Sequence, residues 1–176
     1  VDPAAFDQRA EAKMPETSIA IPKGEDFGGI KRRAKRASVY LVSERGKMRK
    51  IIMPIHGKGL WSTLYGFIAL DVKDINTIRG LVYYEHGETP GLGGEVDNPN
   101  WKALWDGKRV FDDEGTLRIE VIKGKVVQGR PETVHQVDGL SGATITARGV
   151  GDMLRYWLGE GGYGNFLDKI KEQGVG

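Results

Sequence analysis

The sequence predicts an α+β fold, a mostly antiparallel sheet built from hairpins with helices packed on it. Three observations carry this. Short runs rich in β-branched and aromatic residues come in consecutive pairs joined by polar or glycine turns. Helical periodicity is segregated between and after those pairs, and no regular strand–helix alternation marks a doubly wound parallel sheet. No internal repeat at solenoid period is present.

Taken in order, Pro3 to Met14 is alanine-rich and charged and reads as a short helix with Asp2 as cap and Pro3 at its first position. Pro15 and Pro22 break the following stretch into loop. Residues 31–36 (Lys-Arg-Arg-Ala-Lys-Arg) form a basic run that reads as a solvated loop or linker. No aromatic residues interleave with it, which argues against a nucleic-acid patch, and anionic lipid headgroups are the other partner such a run could meet. Val39–Ser43 and Met48–Ile55 form the first hairpin across Arg45-Gly46, and Tyr65–Val72 and Thr77–Glu85 the second across Lys73–Asn76. Asn98-Pro99 starts a short helix to about Asp106, with Trp101, Leu104 and Trp105 on one face. A third hairpin is expected from Arg118–Ile122 and Val126–Gly129 across Lys123-Gly124. Val150, Met153, Leu154, Trp157 and Leu158 recur at helical spacing, predicting a helix over about Thr146–Leu158, and a last helix follows over Asn165–Glu172. The length fits one main domain, residues 39–176, preceded by a helix and linker over 1–38.

Composition excludes several classes. There are no cysteines, so disulfides, thiolate nucleophiles and cysteine-ligated metals are out. A net charge of +2 is too small to argue for nucleic acid. No apolar run is long enough to span a bilayer. The chain starts at Val1 without methionine or signal sequence, which reads as a processed or excised piece from which a membrane segment could have been left behind. The 26 glycines, about twice the average share, lie in short clusters and imply turns and close backbone approaches. His56, His86 and His135 have no metal-ligand spacing, and Gly139-Leu140-Ser141-Gly142 lacks the spacing of a serine nucleophile elbow.

The stretch Asp138-Gly139-Leu140-Ser141-Gly142-Ala143-Thr144-Ile145-Thr146 carries the most chemistry. Small residues feed a helix N-terminus, where free N–H groups and the positive end of the dipole favour an anion such as phosphate. Ser141, Thr144 or Thr146 could equally cap the helix. Thr144 and Thr146 are both hydroxyls able to take a covalent group, and spacing does not choose between them. A second cluster, Glu88-Thr89-Pro90-Gly91-Leu92-Gly93-Gly94, cannot be regular structure. Taken alone it reads first as a structural turn, while its bare backbone and single leucine would also suit a flat aromatic ligand; it is no Rossmann fingerprint.

Together, residues 138–144 and 88–93 resemble the FMN-binding domain family. Its members include the C subunit of the Na⁺-translocating NADH:quinone oxidoreductase and the G subunit of the Rnf electron-transport complex. Residues 57–66 (Gly-Lys-Gly-Leu-Trp-Ser-Thr-Leu-Tyr-Gly) and 95–101 (Glu-Val-Asp-Asn-Pro-Asn-Trp) look like the quinone-reductase branch. The resemblance runs from about Val39 to the C-terminus. In that family the threonine of Ser-Gly-Ala-Thr carries FMN through a phosphoester, and the matching position is Thr144. The resemblance thus implies covalent FMN on the Thr144 hydroxyl, with Ser141, Gly142 and Ala143 around the phosphate. Thr89, Gly91, Leu92 and Gly93, within the loop begun by Glu88, would line the isoalloxazine, with Trp61 a weaker candidate for stacking on it. Asp138 reads as a recognition residue for a maturation enzyme or a loop brace. Lys123 and Lys125 could offset phosphate charge or simply be solvated.

The same resemblance implies an electron-carrying domain facing the periplasm at the bacterial inner membrane, tethered by an N-terminal transmembrane helix. Its partners would be the other subunits of the membrane complex, with a separate flavin transferase supplying FMN from FAD. The Rnf protein and a non-redox domain that binds a phosphate ligand are the two alternatives.

Overall fold

The structure is a computed structural model that describes residues 2–174. Its centre is a four-stranded antiparallel sheet, β3 (Tyr40–Glu44), β4 (Lys47–Lys58), β5 (Thr63–Asp71) and β6 (Ile78–Glu85), in that spatial order. Alternation sets its two faces. Ile51, Met53 and Ile55 of β4 and Leu64, Ile68 and Leu70 of β5 point into the core, and the residues between them face the other way. Both central hairpins stand where the strand pattern predicts them, with Arg45 and Gly46 in the left-handed turn conformation that closes β3 onto β4.

Helix α3 (Thr144–Leu158) covers the inner face through Val150, Met153, Leu154, Trp157 and Leu158, all buried. Burying each such side chain contributes about 1.5–3 kcal/mol relative to exposure. The end of α3 and the loop after it are tied to β4 by two polar contacts: Trp157 Nε1 donates to His56 O at 2.7 Å, and Tyr163 OH, beyond the helix, to Pro54 O at 2.7 Å. Helix α4 (Gly164–Gln173) follows and buries Leu167. On the outer face, the Arg9 guanidinium lies over the Tyr65 ring at 3.7 Å and bonds both Glu85 oxygens, at 2.8 and 3.0 Å. That clamp holds α1 (Gln8–Lys13) against the sheet.

Several sequence expectations are corrected. The N-terminal helix is shorter than Pro3–Met14, and its cap is Asp7, whose carboxylate accepts from Arg9 N and Ala10 N. The basic run is not all loop: Arg32–Ala34 is strand β2, paired antiparallel with β1 (Ser18–Ala20), and Ala34 is buried. Residues 118–129 form no hairpin. Instead β7 (Glu120–Val121) pairs in parallel with β8 (Gln136–Val137). The turn at Gly124 is real, with φ of 84°, but Val126 N donates to the Asp138 carboxylate instead of a strand partner. Helix α2 (Pro99–Ala103) is capped by the Asn98 side chain and ends early, leaving Trp101 and Trp105 buried but Leu104 exposed. Helix α3 begins two residues before the apolar period indicates, at Thr144.

Candidate functional site

The loop from β8 into α3 turns on Gly142, whose φ of +70° disfavours a side chain. Ala143 is the N-cap and offers no side-chain acceptor, so neither Ser141 nor either threonine caps the helix. The first helical N–H to meet a main-chain carbonyl is that of Ala147, which reaches Ala143 O at 3.0 Å. The N–H groups of Thr144, Ile145 and Thr146 therefore have no partner within the helix, and the dipole adds its positive end at the same place.

The two threonines differ sharply. Thr146 is 1% exposed, and its hydroxyl donates to Glu88 Oε2 at 2.6 Å. Thr144 is exposed and lines a cleft of about 720 Å³ between the first three turns of α3 and the turn at Lys123-Gly124. Ser141 and Gly142 line the same cleft, as do Arg148 and Arg155, while Ala143 is buried behind them.

Glu88 is the hub of the other half of the site. It is 5% exposed, and its Oε1 accepts from Trp61 N (3.0 Å), Ser62 N (3.0 Å) and Ser62 Oγ (2.9 Å). Its Oε2 accepts from Leu60 N at 3.1 Å besides the Thr146 hydroxyl. Burial works against the charge, but the hydroxyls of Thr146 and Ser62 and the N–H groups of Trp61 and Ser62 outweigh it. The carboxyl is held below its ordinary range. One carboxylate thus fixes the 60–62 loop onto the first turn of α3. The 88–94 loop closes on itself through Thr89 O, which accepts from Leu92 N at 3.1 Å and Gly94 N at 2.9 Å. Gly93 is required by close approach, since a Cβ there would meet Thr146 Oγ1 at 2.6 Å.

The fold accordingly gathers most residues singled out from sequence. A Cβ at Gly142 would lie 3.0 Å from Leu92 Cδ2, so the two glycine-rich loops touch. Leu92 and Gly91 are exposed beside them, and Trp61 stands out at 68% exposure on the loop held by Glu88. Asp138, at the start of the loop, is bonded to the turn across the cleft. Its carboxylate accepts from Lys125 Nζ (2.9 Å) and Val126 N (2.8 Å), and its carbonyl accepts from Trp101 Nε1 (2.9 Å). Burial opposes this charge too, yet Lys125 and the Val126 N–H hold the carboxyl below its usual range. Asp138 is a brace for the turn, and Lys125 is engaged with it. The role of Ser62 is not legible in the sequence: it lies within the 57–66 stretch, but its partner Glu88 is 26 residues away.

The start of α3 is thus a braced run of small residues with an exposed hydroxyl, its free N–H groups favouring an anion, and the apolar 88–94 loop touches it at Leu92 without lining the cleft. The FMN-binding domain profile matches residues 59–159, and the chain belongs to that family. Among its relatives, the C subunit of the Na⁺-translocating NADH-quinone reductase of Pseudomonas aeruginosa is 51% identical over 97% of this chain and 65% of its own length. The protein of the same name from Yersinia pestis is 49% identical over 97% of this chain and 63% of its own. The chain therefore spans slightly less than two thirds of these relatives. The crystal structure of Shewanella oneidensis NqrC superposes with a TM-score of 0.88 at 44% identity, over 96% of this chain and 76% of that one. Among the described residues no helix is long and apolar enough to cross a membrane.

Proposed function

We propose that this chain is the FMN-carrying domain of the C subunit of a Na⁺-translocating NADH:quinone reductase, with FMN esterified to Thr144. The observation that carries the reading is the division of labour between the two threonines: the Thr144 hydroxyl is open to the cleft, and the Thr146 hydroxyl is committed to Glu88. The names of the relatives support the choice of complex over the Rnf protein.

The residues present fit the group. The unpaired N–H groups at the start of α3 would hold the phosphodiester anion. Gly142 keeps the approach to Thr144 clear of a side chain. Leu92, Gly91, Thr89 and Trp61 would border the ring system, with Gly93 and Glu88 fixing their loops from behind. When bound, FMN supplies reversible electron acceptance and release, which is the cofactor's chemistry. The protein's part is orientation: Glu88 locks the 60–62 loop and the first turn of α3 in one arrangement. Leu92 and Trp61 lie at the surface and would leave one side of the group accessible to redox partners.

In this reading a flavin transferase joins Thr144 Oγ to the FMN phosphorus of FAD. The pyrophosphate bond breaks, AMP leaves, and the threonine proton is released. The domain then serves an enzyme complex at the bacterial inner membrane, on its periplasmic side, and passes electrons between the redox centres of its partner subunits. The test is co-expression with a flavin transferase, followed by denaturing electrophoresis. A fluorescent band is expected for the parent and for Thr146→Val, and a dark band for Thr144→Ala. Fluorescence persisting in Thr144→Ala rejects the assignment.

A further inference from the structure

The stripe of α3 that faces the cleft contains Thr144, Ala147, Arg148, Gly151, Asp152 and Arg155. Two of these carry positive charge, and they stand in different situations. Arg155 is engaged, with Nη1 3.5 Å from Asp152 Oδ1 and its guanidinium over the Phe27 ring at 4.5 Å. It also lies three turns from Thr144, about 16 Å along the axis. Across the cleft, Lys125 is held by Asp138 at 2.9 Å, and Lys123 lines the wall opposite α3, off the helix that carries Thr144. Arg148 is exposed, lies one turn after Thr144, and among the described residues has neither an ion-pair nor a side-chain hydrogen-bond partner; Asp152, one turn further on, feels its charge but is the carboxylate that Arg155 engages. Residues four apart on a helix have neighbouring side chains, and helical side chains lean toward the N-terminus. The Arg148 guanidinium is therefore within reach of the turn that carries the Thr144 hydroxyl.

We propose that Arg148 is the counter-ion of the flavin phosphodiester, a positioning residue that binds the phosphate as it is brought to Thr144 and holds it afterwards. The proposal rests on the reading of Thr144 as the FMN acceptor. Esterification on both sides leaves the phosphate one negative charge, and a guanidinium donates two hydrogen bonds to adjacent phosphate oxygens where an ammonium acts as a point charge. The helix N–H groups approach that anion along the axis and Arg148 from the flank, so the two do not compete.

The experiment measures the initial rate of flavin attachment by intact mass, with purified transferase and FAD, for the parent, Arg148→Ala, Arg148→Lys and Arg148→Glu. Arg148→Ala is expected to slow attachment about tenfold, the scale of one lost charge-assisted hydrogen bond. Arg148→Lys should recover part of the rate, and Arg148→Glu should fall below alanine. A second readout separates the cleft from any role in transferase docking. Unloaded parent and Arg148→Ala should unfold at nearly the same urea midpoint, because exposed Arg148 has no ion pair or hydrogen bond to lose, only the nearby charge of Asp152. Loading should raise the midpoint of the parent and raise that of Arg148→Ala by less. Equal attachment rates and equal gains on loading overturn the proposal and leave Thr144 as acceptor untouched. A parent protein that takes no flavin at all overturns both.

Discussion

Glu88 is the residue on which the site's geometry depends most. Its replacement by alanine removes the acceptor for three main-chain N–H groups and two hydroxyls at once. Hydrogen bonds to a charged group contribute about 1.5–3 kcal/mol each. The loop N–H groups of Leu60 and Trp61 recover part of that from water, because both residues are exposed. The Thr146 hydroxyl cannot, at 1% exposure. The net loss should therefore resemble that of breaking a buried charged pair, about 3–5 kcal/mol. Glutamine should cost less, about 1–2 kcal/mol. Its carbonyl can keep the Trp61 and Ser62 donors, and its amide can donate to a reoriented Thr146 hydroxyl, which leaves only the Leu60 N–H facing another donor. The pH dependence has a definite sign. Glu88 has a depressed pKa, so its stabilisation is complete above the unfolded carboxylate value of about 4.3 and fades as pH falls through the folded value. Urea unfolding of the parent and both variants from pH 7 to pH 3 measures all of this. An alanine variant within about 1 kcal/mol of the parent at pH 7, below any of these charged-group terms, would refute the bracing role.

Three further outcomes follow from the same geometry. His56, stacked on Tyr65 and against Trp157, is pushed down to about 4, chiefly by burial. It is buried neutral, so stability should fall by about 3 kcal/mol between pH 6.5 and pH 4 as the unfolded chain takes up the proton. Comparing urea unfolding of His56→Phe over that range should show the fall greatly reduced. Gly149→Ala should destabilise by about 2–4 kcal/mol, because its Cβ would collide with Lys58 O where α3 rests on the end of β4, and thermal unfolding reads this directly. Asp138→Asn should cost about 1–2 kcal/mol in urea unfolding, since it loses the Lys125 pair and weakens the bond from Val126 N.

The parts of the fold legible in the sequence are those fixed by short-range signals. The Arg45-Gly46 turn between two β-branched runs could only close a hairpin, and the spacing of Val150, Met153, Leu154 and Trp157 could only face one side of a helix. The failures share a cause. Val126–Val127 has strand propensity, but its main chain is taken by an Asp138 carboxylate twelve residues on, and the strand partner of Val121 is Val137. The basic run likewise became a strand because Ser18–Ala20, far back in the chain, lay ready to pair with it. In the site, the clustering of small residues announced the two loops. The carboxylate that joins them could not be read in its role, because Glu88 finds Ser62 and Thr146 at separations of 26 and 58 residues. Nothing local distinguishes such a glutamate from a solvated one. That the Thr144 hydroxyl is open and the Thr146 hydroxyl committed to Glu88 is a matter of burial, which only the packed structure supplies.

The most direct measurement is the intact mass of the protein produced with a flavin transferase, followed by fragmentation of the peptide spanning residues 138–148. The parent should be heavier than its amino acids by one FMN less one water, with the added mass on Thr144. A mass equal to the bare chain, or a flavin carried on Thr146 or any other residue, would contradict the account.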